Sequence, residues 1–199
     1  MDTKRLIESI LARAMDQSRR TDYASSRPLA LGTKATASQL EDTERVLGFS
    51  LHDLHKRVLV EVGNGGFGPG DGIIGIAGGV PDACGRHLLA LRDQIWLDAD
   101  TPLPRPVVPV CDWGDGIWSC LDSAAGQVLT LDEAGLKYTG QSLDEWLWAW
   151  SEGESLWDRT VVLEERELLD PFTKQARVVK VVTGTRGVPY IPRDQRVYA

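Results

Sequence analysis

Apolar side chains at Leu6, Ile7, Ile10, Leu11 and Ala14 recur at three- and four-residue intervals among charged neighbours, which predicts a helix over residues 2–17 with one buried face. The next stretch, 21–36, mixes Ser, Pro, Gly and Thr without periodicity and reads as a surface loop. Ser38 followed by Glu41 fits a capping box ahead of Leu40, Thr43, Val46 and Leu47, with Gly48 as the stop. Ser50 then caps a third predicted helix, whose stripe is Leu51, Leu54, Val58, Leu59 and Val62. From Ile73 onward the pattern changes to short apolar stretches punctuated by Gly and Pro, the form an antiparallel sheet takes in sequence. Ile73–Ile76 reads as a short strand, 107–111 and 116–121 as the clearest strands, joined by a turn over 112–116, and 127–131 continues the meander. Ser142 with Glu145 opens a last helix, 143–151, that presents Leu143, Trp146, Leu147 and Trp150. Helices, then strands, then a helix predict an α+β fold, with helices packed on a twisted, largely antiparallel sheet.

Between the third helix and the first strand lies Gly63-Asn64-Gly65-Gly66-Phe67-Gly68-Pro69-Gly70-Asp71-Gly72-Ile73-Ile74-Gly75-Ile76, a loop whose glycines specify a tight and irregular path. Gly63-x-Gly65-x-x-Gly68 and Gly70-x-Gly72-x-x-Gly75 both match the dinucleotide fingerprint. That fingerprint works after a strand and before a helix, and here the order is reversed, so no helix N-terminus faces a phosphate.

At 199 residues the chain suits a single domain, read as 1–157, with a C-terminal extension over 158–199. The extension shifts from acidic (Glu164, Glu165, Glu167) to basic (Arg177, Lys180, Arg186, Arg193, Arg196). Its Val178–Val182 run is expected to pair with a sheet edge, and 187–192 to be irregular. A formal net charge of −7 opposes a nucleic-acid partner. The apolar runs are too short to cross a membrane and the first residues lack the apolar core of a secretory signal, so the expected location is the cytoplasm. No pattern indicates an oligomeric state.

The sequence offers little catalytic chemistry. Cys84, Cys111 and Cys120 lack metal or redox spacing and read as small buried residues. His52 and His55 lie one helical turn apart without a third ligand, and read as a solvated helix face. Asp112, Asp115 and Asp122 read as turn formers, and Ser119 has no base partner in any known nucleophile motif. No metal or cofactor is expected. Trp146, Trp150 and Trp157 are assigned to the core, whereas Trp113, Trp118 and Trp148 are the tryptophans expected near the surface.

Two segments, Asn64-Gly65-Gly66-Phe67-Gly68-Pro69-Gly70-Asp71-Gly72-Ile73-Ile74-Gly75 and Val108-Pro109-Val110-Cys111-Asp112-Trp113-Gly114-Asp115-Gly116-Ile117-Trp118-Ser119-Cys120-Leu121-Asp122, resemble the SUKH superfamily in its Smi/Knr-like branch. The order of the two motifs and the later 142–147 helix fit, and the resemblance covers about 38–157. It implies an α+β domain without catalytic activity. For bacterial members it implies immunity proteins that bind and neutralise polymorphic toxins, often nucleases or deaminases; for fungal members it implies regulatory scaffolds. Asp115 stands where the pattern would place a small residue or cysteine. Phe67, Asp112, Trp113 and Asp115 are the partner-binding candidates, as aromatic anchors beside carboxylates. The other reading of the same loops is that they only hold the fold together.

Overall fold

The computed structural model describes residues 2–22, 30–98 and 103–191. Helix α1 (Thr3–Met15) begins where the Asp2 side chain accepts from the Lys4 N–H, and it buries Leu6, Ile7, Ile10 and Ala14. Helix α2 (Ala37–Leu47) starts earlier than the Ser38/Glu41 pair predicts. Thr36 is the N-cap and Gln39 closes the box, accepting from the Thr36 N–H at 2.8 Å. Gly48, with φ 71°, ends it in the left-handed conformation expected of the stop.

Helix α3 (Asp53–Glu61) follows His52 rather than Ser50 as N-cap. Its buried stripe includes His55, only 2% exposed, so the solvated-face reading is overturned for that residue. The reason is positional: Leu51, His55, Val58 and Val62 fall four, three and four residues apart, on one helical face.

Helix α4 (Leu88–Asp98) was not expected, since Leu88, Leu89 and Leu91 read as another short apolar run. Leu88, Leu91, Arg92 and Ile95 are its buried positions, and the Arg92 guanidinium donates to the carbonyls of Val107 and Arg105. The expected strand at Ile73–Ile76 is reduced to an isolated bridge with Cys111.

The sheet is an antiparallel meander of β1 (Val107–Gly114), β2 (Ile117–Asp122), β3 (Gln127–Asp132) and β4 (Gly135–Ser142), with β7 (Val188–Pro189) on the outer edge. Helix α5 (Leu143–Ser151) opens on Ser142, whose N–H and hydroxyl both donate to the Glu145 carboxylate. It packs against β3, β4, α1 and α3. Trp146 and Trp150 fill the centre of the core, as read from the sequence.

A short helix α6 (Leu156–Thr160) then leads into β5 (Val161–Leu169) and β6 (Ala176–Thr185), which pair with each other as a second, two-stranded sheet. Val178–Val182 therefore lies beside β5, and the residues that extend the main sheet are Val188–Pro189, beside Tyr138 and Lys137. The root of this arm is tied to β3: the Asp132 carboxylate accepts from the Thr185 N–H, the Thr185 hydroxyl and the Lys137 ammonium, at 3.0, 2.9 and 2.8 Å. Burial alone would raise the Asp132 pKa, but these partners together outweigh it and hold the group below the ordinary carboxylate value. Among the described residues the chain forms six helices and two antiparallel sheets in one α+β domain.

Candidate partner-binding surface

The glycine loop is shaped from inside. Asn64 is buried, and its side chain clamps the far end of the loop, accepting from the Ile76 N–H at 2.8 Å and donating to the Ile76 carbonyl at 3.3 Å. Across this clamp the chain doubles back, Ile73 N–H to Phe67 O and Gly66 N–H to Ile73 O. A Cβ on Gly66 would overlap the Ala30 carbonyl oxygen, and Gly66 has φ 81°, so only glycine fits there without strain. Phe67 points inward, fully buried, its ring 6.2 Å from that of Trp150. The loop is part of the core, and Phe67 presents no surface.

This loop packs directly on the β1–β2 hairpin. A Cβ on Gly70 would stand 2.7 Å from the Asp112 carbonyl oxygen, Asp71 N–H donates to that oxygen at 3.3 Å, and the Cys111 thiol donates to Pro69 O at 3.1 Å. The two segments singled out in the sequence are thus one structural unit. Strand β1 runs to Gly114, three residues beyond the expected end, so the turn shrinks to Asp115-Gly116. Both have positive φ, 51° and 74°, the signature of a two-residue type I′ hairpin. Asp112 braces it, its carboxylate accepting from the Gly114 N–H at 2.8 Å.

Trp113 is 3% exposed, with its indole N–H bonded to the Ser119 hydroxyl at 2.8 Å and its ring 5.7 Å from Trp157. That bond engages Ser119, which is itself buried. Of the four candidates only Asp115, at the hairpin tip, is exposed.

Around this unit stand the carboxylates Asp71, Asp82, Asp112 and Asp115, with the Arg86 guanidinium acting on Asp82 and Asp112. Asp112 is nearly buried, and desolvation lifts its pKa against the opposing pull of the Gly114 N–H; Asp71 is lifted by desolvation and then by Asp112. Asp82 is neutralised by Arg86 at 2.6 Å, but neither Asp71 nor Asp112 forms an ion pair among the described residues. With Asp115 they make an acidic face with the hairpin at its centre. Asp122 is a turn former as read, accepting from Ala124 and Ala125 N–H.

Beside the hairpin the sheet, α4 and the arm enclose an open groove of about 1970 Å³. Trp118, Leu131, Leu136, Val182 and Tyr190 line it, together with Asp115, Glu133, Arg105 and Lys180. Small-molecule pockets hold roughly 300–1,000 Å³, so this groove has the scale of a protein segment. Trp118 is half-buried, and its indole nitrogen is buried without a hydrogen-bond partner among the described residues. Sequence reasoning placed Trp113 and Trp118 together near the surface; the strand register separates them, because Trp113 falls at the irregularity between Asp112 and Gly114 and turns inward to Ser119, whereas Trp118, paired with Asp112, lines the groove. Trp148 is half-buried under the Arg5 guanidinium, 5.4 Å from its ring.

The two buried thiols are inert by environment. Burial pushes the Cys120 pKa up to about 12 and that of Cys111 well above its usual value, whereas Cys84 is exposed, contrary to expectation, in a turn where its N–H donates to Asp82. Among the described residues no three His, Cys, Asp or Glu side chains gather as a metal site, and no helix is long and apolar enough to cross a membrane.

Comparison with known proteins gives one family. The model of the family described as SMI1-KNR4 cell-wall (SUKH_5) matches residues 4–151, which takes in the glycine loop and the β1–β2 hairpin and continues through α5. No curated protein matches the chain.

Proposed function

Since the chain belongs to the SMI1-KNR4 cell-wall family, we propose that it is a non-enzymatic protein-binding module that neutralises a basic, nuclease-like bacterial toxin by direct binding. The observation that carries this reading is the acidic face: Asp112 and Asp115 on a braced hairpin with Asp71 on the loop packed against it, Asp71 and Asp112 without ion-pair partners among the described residues, beside a groove of protein-segment size. Opposite charge speeds association with a cationic partner and suppresses wrong ones. A rigid face loses little conformational entropy on binding.

Within this reading the four sequence candidates divide by role. Asp115 touches the partner, and Asp112 contributes field and holds the turn. Phe67 and Trp113 fix the shape from beneath, and Trp118 takes over as the aromatic anchor. Silencing a lethal enzyme needs nanomolar affinity, about 12 kcal/mol, and typically about 1,600 Å² of total buried surface. The face and groove together offer that scale, with no turnover and no cofactor. The cytoplasm is the compartment this role requires.

The test is co-expression with a toxin encoded beside this chain's gene, scored as survival. Wild type should rescue, and a folded Asp115→Lys, Trp118→Ala variant should not. Rescue by that variant removes the site assignment. The family's cell-wall description favours a second reading, a regulatory scaffold for a cellular partner, and failure of the wild type to rescue against any such toxin would select it.

A further inference from the structure

The β5–β6 arm lies beyond residue 151, where the family match stops; its root walls the groove with Arg166, Lys180 and Val182, and its tip, 167–178, lies outside both the groove and the acidic face. From Glu164 to Leu169 and from Pro171 to Val178 every residue is exposed. A two-stranded hairpin alone is marginal in water, yet this one ends in a fully bonded turn. The Asp170 carboxylate accepts from the N–H groups of Phe172 and Thr173 at 2.9 and 2.8 Å, its N–H donates to Gln175 O, and its carbonyl accepts from the Lys174 N–H. That turn holds Phe172 at 92% exposure beside Leu169 at 68% and Val178 at 66%. An exposed aromatic on a preorganised turn is the form of an interface anchor.

The charges indicate what covers it. Residues 161–185 hold four acidic and four basic side chains, so the formal charge of −7 sits entirely on the rest of the chain. The neutral arm is nevertheless segregated: β5 carries Glu164, Glu165 and Glu167 against Arg166 alone, whereas the only charges on β6 are Arg177 and Lys180. The register puts Glu165 opposite Lys180, Glu167 opposite Val178 and Leu169 opposite Ala176 on one face. A twofold axis running along two arms stacked on that face sets β5 of each over β6 of the other. Glu165 of each copy then meets Lys180 of its mate, and the two Leu169–Phe172 tips come together.

We propose that a second copy of this chain covers the arm, forming a closed, isologous dimer through arm-to-arm stacking. Charged edges along both strands oppose the alternative of a third strand added to the arm. Each stacked face measures roughly 25 by 10 Å, so about 500 Å² is buried over both copies before the tips add to it, below the ~1,000 Å² of stable specific interfaces, and the dimer is a weak, transient one.

Sedimentation velocity on the full chain, from about 1 to about 200 µM, should show a dimer that dissociates on dilution. Leu169→Asp with Phe172→Asp should leave monomer throughout with an unchanged melting temperature, since both side chains are exposed in the monomer. A Glu165→Lys chain and a Lys180→Glu chain should each be monomeric alone and form a heterodimer when mixed in equal amounts. Asp115→Lys, on the β1–β2 hairpin and outside the stacked arm face, should leave the dimer intact, which separates this result from the fate of the acidic face. Wild type that stays monomeric over the range, a dimer undiminished by the Leu169/Phe172 change, or a mixture that fails to pair would overturn the proposal.

Discussion

His55 makes the stability of this protein depend on pH in a window where carboxylates contribute little. Desolvation, followed by the neighbouring His52, lowers its pKa from 6.5 to about 4, and both ring nitrogens are buried without hydrogen-bond partners among the described residues. Because the folded pKa is depressed, the unfolded chain binds this proton first as pH falls. Stability from this group is therefore full above about pH 7 and is lost between about pH 6.5 and 4. A shift of roughly 2.5 units at 1.36 kcal/mol each gives a maximal loss of about 3 kcal/mol, a large share of the 5–15 kcal/mol typical of a domain. Asp71 and Asp112, whose pKa values are raised in the fold, act in the opposite direction at lower pH, so the wild-type curve alone mixes signs. The clean perturbation is His55→Phe, similar in shape and free of the two unpartnered nitrogens. Urea unfolding from pH 7.5 to 4 should show the two proteins within about 1 kcal/mol of each other at pH 7.5, with wild type falling behind by about 3 kcal/mol at pH 4. Parallel curves would refute the assignment of a buried neutral imidazole.

Three further outcomes follow from the loop and the arm root. Gly66→Val and Gly68→Val each force a β-branched residue to positive φ against filled space, and should destabilise by ~1–3 kcal/mol in thermal or urea unfolding. Asn64→Leu leaves the buried Ile76 N–H and carbonyl without their side-chain partner and should cost about 2 kcal/mol or more, with amide exchange accelerating first across 64–80. Asp132→Ala should release the arm root, so that amides of 161–185 exchange faster while those of α1 and α5 keep their protection.

Much of the fold was legible because its periodicities are regular. The stripes of α1, α3 and α5, the Ser142/Glu145 box, the stop at Gly48 and the meander from Val107 to Leu131 follow from local patterns that burial then satisfies. The misses have physical causes. Thr36/Gln39 and Ser38/Glu41 both satisfy the capping-box spacing, and the choice between them rests on where the preceding backbone leaves the helix. Helix α4 hides because Leu88, Leu89 and Leu91 suggest a strand run, and the partner that makes Arg92 a buried residue, the Val107 carbonyl, is fifteen residues away. At the candidate site the sequence located the loop and hairpin but not their inward-facing members. Aromatic residues in a glycine-rich turn look exposed until the turn is seen to fold over Trp150 and Trp157. Asp71 carried no signal of its own: its role arises only from the juxtaposition of the loop with Asp112.

The account's central claim is that the acidic face binds a basic protein partner. Its most direct test is calorimetry of the purified chain against the purified basic toxin domain encoded beside it, repeated at about 50, 150 and 500 mM salt. The account predicts nanomolar affinity at low salt, weakening as salt rises, and at least a tenfold loss with Asp115→Lys at constant melting temperature. Salt-independent affinity unaffected by Asp115→Lys, or no binding at all, would contradict it.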